Sequence, residues 1–334
     1  MAARKILFAL FILAIIGLPN ITATAAPETW RLQGWNKTNF EKTSIDLNEI
    51  LSGGPPKDGI PSIDEPVFLP VGEEKSIAPR EPVISLKIGE TARAYPLRIL
   101  TWHEIVNDVI GDVPVTVTYC PLCNAAIAFD RRVDGQILDF GTTGKLRKSD
   151  LIMYDRQTES WWQQFSGTAI VGDMTGTELK MLPVRLEAFE RFAASNPNGE
   201  VLQPSPVHRR AYGMNPYAGY DTRSQPYEIL FAGELPDYIN PMERVVVSRE
   251  GENEQAVSLT YWRTNQPVQL GDVVISWIAG QNSALDTRVI AEGRDIGNIL
   301  AQRQTATGTV DVVHDVTFAF VFHAFHPDQR IRQN

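Results

Sequence analysis

The sequence predicts an α+β fold that is β-rich and carries a degenerate internal duplication of a strand and helix unit. Three observations carry this expectation. Short β-branched or alternating segments such as Val83–Ile88, Val113–Tyr119 and Leu151–Asp155 recur with turn residues between them. Helical periodicity is confined to brief stretches. Several motifs of the first half return, in order, in the last third of the chain.

Taken in order, the chain opens with a secretory signal peptide over residues 1–25. Arg4 and Lys5 form a positive start, Ile6 to Leu18 is an apolar run, and Pro19 and Asn20 interrupt it. Ala23-Thr24-Ala25 then supplies a small-x-small cleavage site. The apolar run is shorter than the ~20 residues a spanning helix needs, so it reads as a cleaved leader and not as an anchor. No cysteine near the site offers a point for lipid attachment, and no later segment is apolar for long enough to span a bilayer. The mature protein is therefore expected to be periplasmic or secreted, with no stable membrane span after cleavage.

Residues 26–80 read as an irregular N-terminal arm. Gly53-Gly54-Pro55-Pro56 and prolines 61, 66, 70 and 79 argue against long helices and central strands, with one short helix expected around Leu47–Leu51. Residues 81–205 form the first repeat unit. Val83–Ile88 and Ala92–Leu97 make a hairpin around Gly89-Glu90. The spacing of Trp102, Ile105, Val106 and Val109 predicts a helix from about Arg98 to Val109, ended by Gly111. Val113–Tyr119 is a buried strand leading into Cys120. A hairpin around Asp134-Gly135 follows, then strands at Leu151–Asp155, Trp161–Phe165, Ala169–Gly172 and Glu178–Leu182, and a helix at Leu186–Ser195. Residues 206–245 form a connecting loop rich in Tyr, Pro and Gly. Residues 246–334 form the second, degenerate unit. There Glu254–Leu259 echoes Glu90–Leu97, Gly271–Ile275 echoes Gly111–Val115, Asn282–Ala284 echoes Asn124–Ala126, and Phe322–Asp328 echoes Phe192–Asn198. The second copy has no cysteine.

Composition bounds the function. An apolar fraction of 43% is that of a folded protein. Lys and Arg number 31 against 40 Asp and Glu, a net charge of −9, which becomes −11 when Arg4 and Lys5 leave with the leader. An acidic surface argues against nucleic acid as a partner, since phosphate binding needs a basic face. There is no Walker loop, no Gly-rich dinucleotide turn, no HExxH and no GxSxG, which lowers the case for nucleotide enzymes, common zinc proteases and serine esterases.

The only cysteines are Cys120 and Cys123, in Cys-Pro-Leu-Cys. In an oxidising compartment two thiols this close form a disulfide unless a metal or a reducing partner intervenes. The spacing supports thiol–disulfide exchange, or a metal knuckle for copper(I) or zinc completed by His, Met or Asp. It also fits a plain structural disulfide. Redox chemistry wants a helix N-terminus after the first thiol, and the hairpin expected after Cys123 offers none. His103 is the candidate third metal ligand, although the helix carries it away from the end of the strand that bears Cys120. His323 and His326 fit packing and helix-end roles among Phe320, Phe322 and Phe325 better than a ligand role. Asp150, Asp155, Arg156 and Glu159 are the densest charge near strand ends, and read either as acid–base groups or as a polar sheet edge. The candidates for a catalytic role are Cys120, Cys123, Asp155 and Arg156. Trp161-Trp162, Tyr212, Tyr217 and Tyr220 offer an aromatic platform, of which alternation lets only one of the two tryptophans serve.

Trp102-His103-Glu104-Ile105-Val106-Asn107-Asp108, Tyr119-Cys120-Pro121-Leu122-Cys123-Asn124-Ala125-Ala126, Ser149–Arg156 and Asn215–Asp221 together resemble the domain of unknown function 3179 family of bacteria and archaea. The resemblance runs from about Val83 to the C-terminus and implies an exported or surface-associated protein with the Cys-Pro-x-Cys element near its centre. Asn124 stands where Gly is more usual in that motif. Three readings stand: a periplasmic thiol-redox or copper- or zinc-binding protein centred on Cys120 and Cys123; an extracytoplasmic enzyme whose pocket joins the Cys loop, Asp150–Arg156 and the Tyr-rich loop; and a non-catalytic assembly module with a structural disulfide. The first implies a redox partner or a metal-donor protein. No small-molecule ligand is specified by the sequence.

Overall fold

Strands dominate wherever β-branched residues follow one another, and the helices between them are short. The computed structural model describes residues 27–249, 254–264, 267–306 and 308–333. The signal peptide expected over residues 1–25 lies outside the described residues.

The arm contributes helix α1 (Pro27–Leu32) and two edge strands, β1 (Ile50–Ser52) and β2 (Phe68–Pro70). A 3-10 turn at Leu47–Glu49 stands where a short helix was expected. Next come β3 (Pro82–Ile88), β4 (Thr91–Pro96), α2 (Leu97–His103), β5 (Ile105–Ile110), β6 (Val113–Cys120) and β7 (Ala125–Asp130). The small hairpin β8 (Arg132–Val133) and β9 (Gln136–Ile137) turns at Asp134-Gly135, as expected. It is followed by β10 (Phe140–Arg147), β11 (Asp150–Asp155), β12 (Trp161–Gln163), β13 (Ala169–Val171), β14 (Met181–Leu182), β15 (Val184–Ala188), α3 (Phe189–Ser195) and β16 (Glu200–Leu202). After the Tyr-rich loop come β17 (Arg244–Ser248), β18 (Gln255–Ser258), α4 (Leu259–Thr264), β19 (Val268–Leu270), β20 (Val273–Ile278), β21 (Asn298–Thr305), β22 (Gly308–Asp311), β23 (His314–Phe318) and α5 (Ala319–Phe325).

The β-rich α+β expectation holds, and five sheets of three or more strands form among the described residues. Their orders are β1-β10-β11-β12-β13, β14-β7-β6-β5, β15-β3-β4-β16-β2, β18-β17-β23 and β19-β20-β21-β22. Two sheets frame the site. β5, β6 and β7 pair antiparallel with Cys120 opposite Ala125, and β10 pairs β11 with Arg147 opposite Asp150. One core cluster joins these sheets to β23 and α5, through Ile127, Phe129, Phe140, Met153, Trp162, Phe318 and Phe320.

Two helix boundaries need correction. The stretch Arg98–Val109 is not one helix: α2 stops at His103 and β5 starts at Ile105. Glu104 sits at φ 59°, which breaks the helix, and Ile105, Val106, Val109 and Ile110 prefer the pairing that β6 offers. The helix expected from Leu186 starts at Phe189, because Val184–Ala188 pairs with β3 instead. In the first case the helical spacing came from apolar residues of two adjoining elements, and in both strand pairing prevailed. The arm is also more ordered than expected. Trp30, Trp35 and Phe40 pack against Trp161 with ring centroids 4.9, 5.0 and 5.4 Å away.

Candidate functional site

Strand β6 is buried along nearly its whole length and delivers Cys120 to a fixed point. The chain then turns back at once. Cys123 N donates to Cys120 O at 3.2 Å, Asn124 N donates to Pro121 O at 3.3 Å, and β7 begins at Ala125. Asn124 takes φ 56°, the left-handed conformation that Gly adopts freely and Asn tolerates, so the tight turn forms without Gly. No helix follows Cys123.

The second half of the site is the two-residue turn between β10 and β11. Lys148 and Ser149 both have positive φ, 56° and 64°, the pattern of a type I′ hairpin. This turn aims the Ser149 carbonyl at the cysteines, 3.4 Å from Cys123 Sγ and 3.7 Å from Cys120 Sγ. Asp150 follows, with Oδ1 3.4 Å from Cys123 Sγ. Its other oxygen is held by Gln163 Nε2, which donates at 2.6 Å, and by Phe165 N, which donates at 2.9 Å. One donor atom from each of Cys120, Cys123 and Asp150 lies within 4.8 Å of the other two. All three residues are buried, and the sulfurs are not bonded to each other.

The electrostatics are one-sided. Burial pushes the Cys123 thiol well above its ordinary value and raises Cys120 as well, with Asp150 adding to both. Burial lifts Asp150 to about 6. Glu104, also buried, is lifted to about 8, first by burial and then by the charge of Asp150. No cation offsets these groups among the described residues. Arg147 pairs with Glu49, and the Lys148 ammonium donates to Ala324 O at 2.6 Å, so both basic side chains beside the turn are engaged elsewhere.

The last third of the chain braces the cysteine loop. Cys123 O accepts from Thr317 Oγ1 at 2.8 Å and from Phe318 N at 3.2 Å, and Asn124 Nδ2 donates to Val316 O at 2.9 Å. The Tyr-rich loop closes another side, where Tyr220 Oη donates to Leu122 O at 3.0 Å and Ser149 Oγ donates to Leu230 O at 2.8 Å.

The remaining sequence candidates lie in other settings. His103 is buried, and burial lowers its pKa below the ordinary imidazole value. Nδ1–H donates to Pro61 O at 2.7 Å, and Nε2 lies 2.7 Å from Tyr212 Oη, which itself donates to His208 O at 2.9 Å. Both nitrogens are engaged, and His103 is not in the group of ligand atoms around the sulfurs. Asp155 Oδ2 accepts from Trp162 Nε1 at 2.9 Å, and Asp155 Oδ1 accepts from Thr158 N at 2.6 Å, closing the β11–β12 connection. Arg156 pairs with Asp64 of the arm and donates to Ser62 Oγ at 2.7 Å. Tyr154 Oη donates to Asp58 Oδ2. His326 Nε2 is 2.8 Å from Glu254, and His323 packs edge-on against Tyr238. Trp161 and Trp162 point into two different core clusters and offer no open platform.

Asp150 and Glu104 are therefore the residues that motif reading underrated. Asp150, 27 positions beyond Cys123, stood in the sequence as acid–base or sheet-edge charge and as the start of a segment expected beside the Cys loop, but not as a named metal ligand. Glu104 is next to His103 in the same motif, so the signal pointed one residue short.

A family model described as "Protein of unknown function (DUF3179)" matches residues 57–329. No curated protein and no solved structure matches the chain.

Proposed function

The chain belongs to the DUF3179 family, and we propose that it is an exported protein binding one soft or borderline metal ion, zinc or copper(I), through Cys120, Cys123 and Asp150. The observation that carries this reading is the convergence of three buried ligand atoms within 4.8 Å of one another. Two thiols and the Asp150 carboxyl meet there, and the basic side chains beside the turn, Arg147 and Lys148, are engaged elsewhere. Buried charge without a partner is costly, and a bound cation offsets the three groups together. Two sulfurs and a carboxylate oxygen suit zinc best, while the sulfur pair alone suits copper(I). Thiol–disulfide exchange is the second reading, favoured by the unbonded sulfur pair. It ranks lower because a reactive thiolate needs a lowered pKa, and both thiols here are raised.

The test is metal analysis and thiol titration of protein recovered from the periplasm. The expected result is about one equivalent of zinc or copper per chain, falling to near zero in a Cys120→Ser, Cys123→Ser double variant that keeps its circular dichroism. A metal-free protein with a stable disulfide would overturn the reading. Export belongs to the same proposal, and rests on Arg4, Lys5, the apolar run and Ala23-Thr24-Ala25. N-terminal sequencing of exported protein is expected to begin at or near Ala26.

The domain division is likewise proposed: two related units, 81–205 and 246–334, joined by a Tyr-rich loop. Two sheet orders support common descent. β15-β3-β4 and β23-β17-β18 have the same pairing, and so do β14-β7-β6-β5 and β22-β21-β20-β19. In each unit a hairpin leads into a short helix, α2 or α4, and a later strand, β15 or β23, leads into another, α3 or α5. Gly111 and Gly271, at φ 59° and 60°, make the matching turns. The second unit has no counterpart of β8–β13 and keeps no cysteine.

A further inference from the structure

The motif Asn215–Asp221 ends on a carboxylate that the cysteine centre does not use. Asp221 is buried. Its Oδ2 accepts from Arg244 Nη2 at 2.6 Å and from Ser283 Oγ at 2.6 Å, and its Oδ1 accepts from Arg294 Nη1 at 3.0 Å. Asp221, Arg244 and Arg294 line a cavity of about 290 Å³ where the Tyr-rich loop, β17, α4 and the β20–β21 connection meet. Arg223 and Arg263 line it too, so four arginines share one cavity in a chain whose net charge is −9.

The other carboxylates on its wall have donors of their own. Asp295 accepts from the N–H groups of Gly280 at 3.0 Å and Gly297 at 2.9 Å and pairs with Arg80 at 2.9 Å. Glu243 Oε1 accepts from Ser258 Oγ at 2.8 Å and from Thr260 N at 3.0 Å. Three of the guanidiniums, by contrast, keep donors unused. Arg244 is 6% exposed, and only its Nη2 is hydrogen-bonded among the described residues, while its Nε is buried without a partner. Arg263 meets no carboxylate among them and rests over the Trp277 ring, 4.9 Å from its centroid. Arg223 donates through Nε to Gln225 O at 3.2 Å, rests over the Tyr227 ring at 4.7 Å, and likewise meets no carboxylate.

A buried donor without an acceptor costs about 1–3 kcal/mol, and a ligand that brings acceptor oxygens recovers it. The planar fork of a guanidinium matches a carboxylate or a phosphate, and resting over an aromatic face leaves its N–H donors available. We propose that this cavity is an anion-binding site, which takes the phosphate or carboxylate group of a small ligand on Arg244, with Arg223 and Arg263 as further donors. The site stands independently of any metal at the cysteines.

Isothermal titration calorimetry of the full mature protein tests it, with inorganic phosphate and citrate as probes at low ionic strength. Saturable binding of at least one probe is expected, at about one equivalent per chain and weakening as salt is raised. Tighter binding of phosphate assigns the site to phosphorylated ligands, and tighter binding of citrate assigns it to carboxylates. Arg223→Gln and Arg263→Gln alter exposed side chains, so the fold is expected to stand while affinity falls about tenfold in each. Arg244→Lys keeps a cation beside Asp221 but removes Nε, and is expected to weaken binding at least as much; the two exposed variants carry the test should it fold poorly. No saturable binding of either probe overturns the proposal. So does binding that Arg223→Gln and Arg263→Gln both leave unchanged, because the anion then sits elsewhere.

Discussion

Asp150 has one oxygen fixed by Gln163 and Phe165 and the other turned to Cys123, so its orientation is set before any ion arrives. Such preorganisation makes the carboxylate a selective donor. Asp150→Asn keeps the shape and removes the charge, and zinc affinity is expected to fall by about 10-fold or more, measured by competition with a chromophoric chelator. The same burial gives the metal-free protein an unusual pH response. Asp150 is lifted from 3.8 to about 6 and Glu104 from 4.5 to about 8. Between about pH 4 and 8 the folded state holds more protons than the unfolded chain, so stability is greatest at the acid end and falls as the pH rises through the folded values. Each group contributes at most about 1.4 kcal/mol per pH unit. Urea midpoints measured with a chelator present should therefore decline from pH 5 to pH 8, and saturating zinc should lessen that decline. A flat profile without metal would show that the two carboxyls are not buried as described.

Short elements with demanding turns hold the site together. The arm crosses β10 at Gly144, where φ is 69° and an added Cβ would lie 1.9 Å from Pro55 O. The register of β10 against β11 shifts between Thr142 and Lys145, so Gly144 sits in the irregular stretch just before the turn that carries Ser149 and Asp150. Gly144→Ala meets both a left-handed backbone and a main-chain clash. It is expected to destabilise by about 2–3 kcal/mol in urea unfolding and to weaken metal binding through the displaced turn. The α2–β5 junction teaches a related lesson about reading helices. Trp102, Ile105, Val106 and Val109 fit a helical stripe, yet Val109 is 50% exposed and Ile105, Val106 and Ile110 are buried in a sheet. Periodicity over so few residues does not distinguish one helix from a helix followed by a strand, and β6 as a partner decided the matter.

Across the molecule, distant segments brace one small centre. Thr317 and Phe318 hold the Cys123 carbonyl, Tyr220 holds Leu122, and the arm packs Trp30, Trp35 and Phe40 on the sheet that carries Asp150. Trp35 is fully buried against Trp161 and Tyr154, and Trp35→Ala is expected to cost about 3–5 kcal/mol by equilibrium denaturation. Among the described residues no helix is long and apolar enough to cross a membrane. By itself the sequence determined the family, the β-rich character, the β6 strand and the tight pairing of Cys120 with Cys123, because these depend on local pattern: alternation, turn residues and a two-residue spacing. Tertiary structure decided what stands around the sulfurs. It brought Asp150 across from another hairpin, turned Glu104 inward at a strained backbone angle, and engaged His103 with Pro61 and Tyr212. Those choices follow from sheet packing over separations of tens of residues, where the burial of β-branched strands fixes which neighbours meet and no local pattern records the outcome.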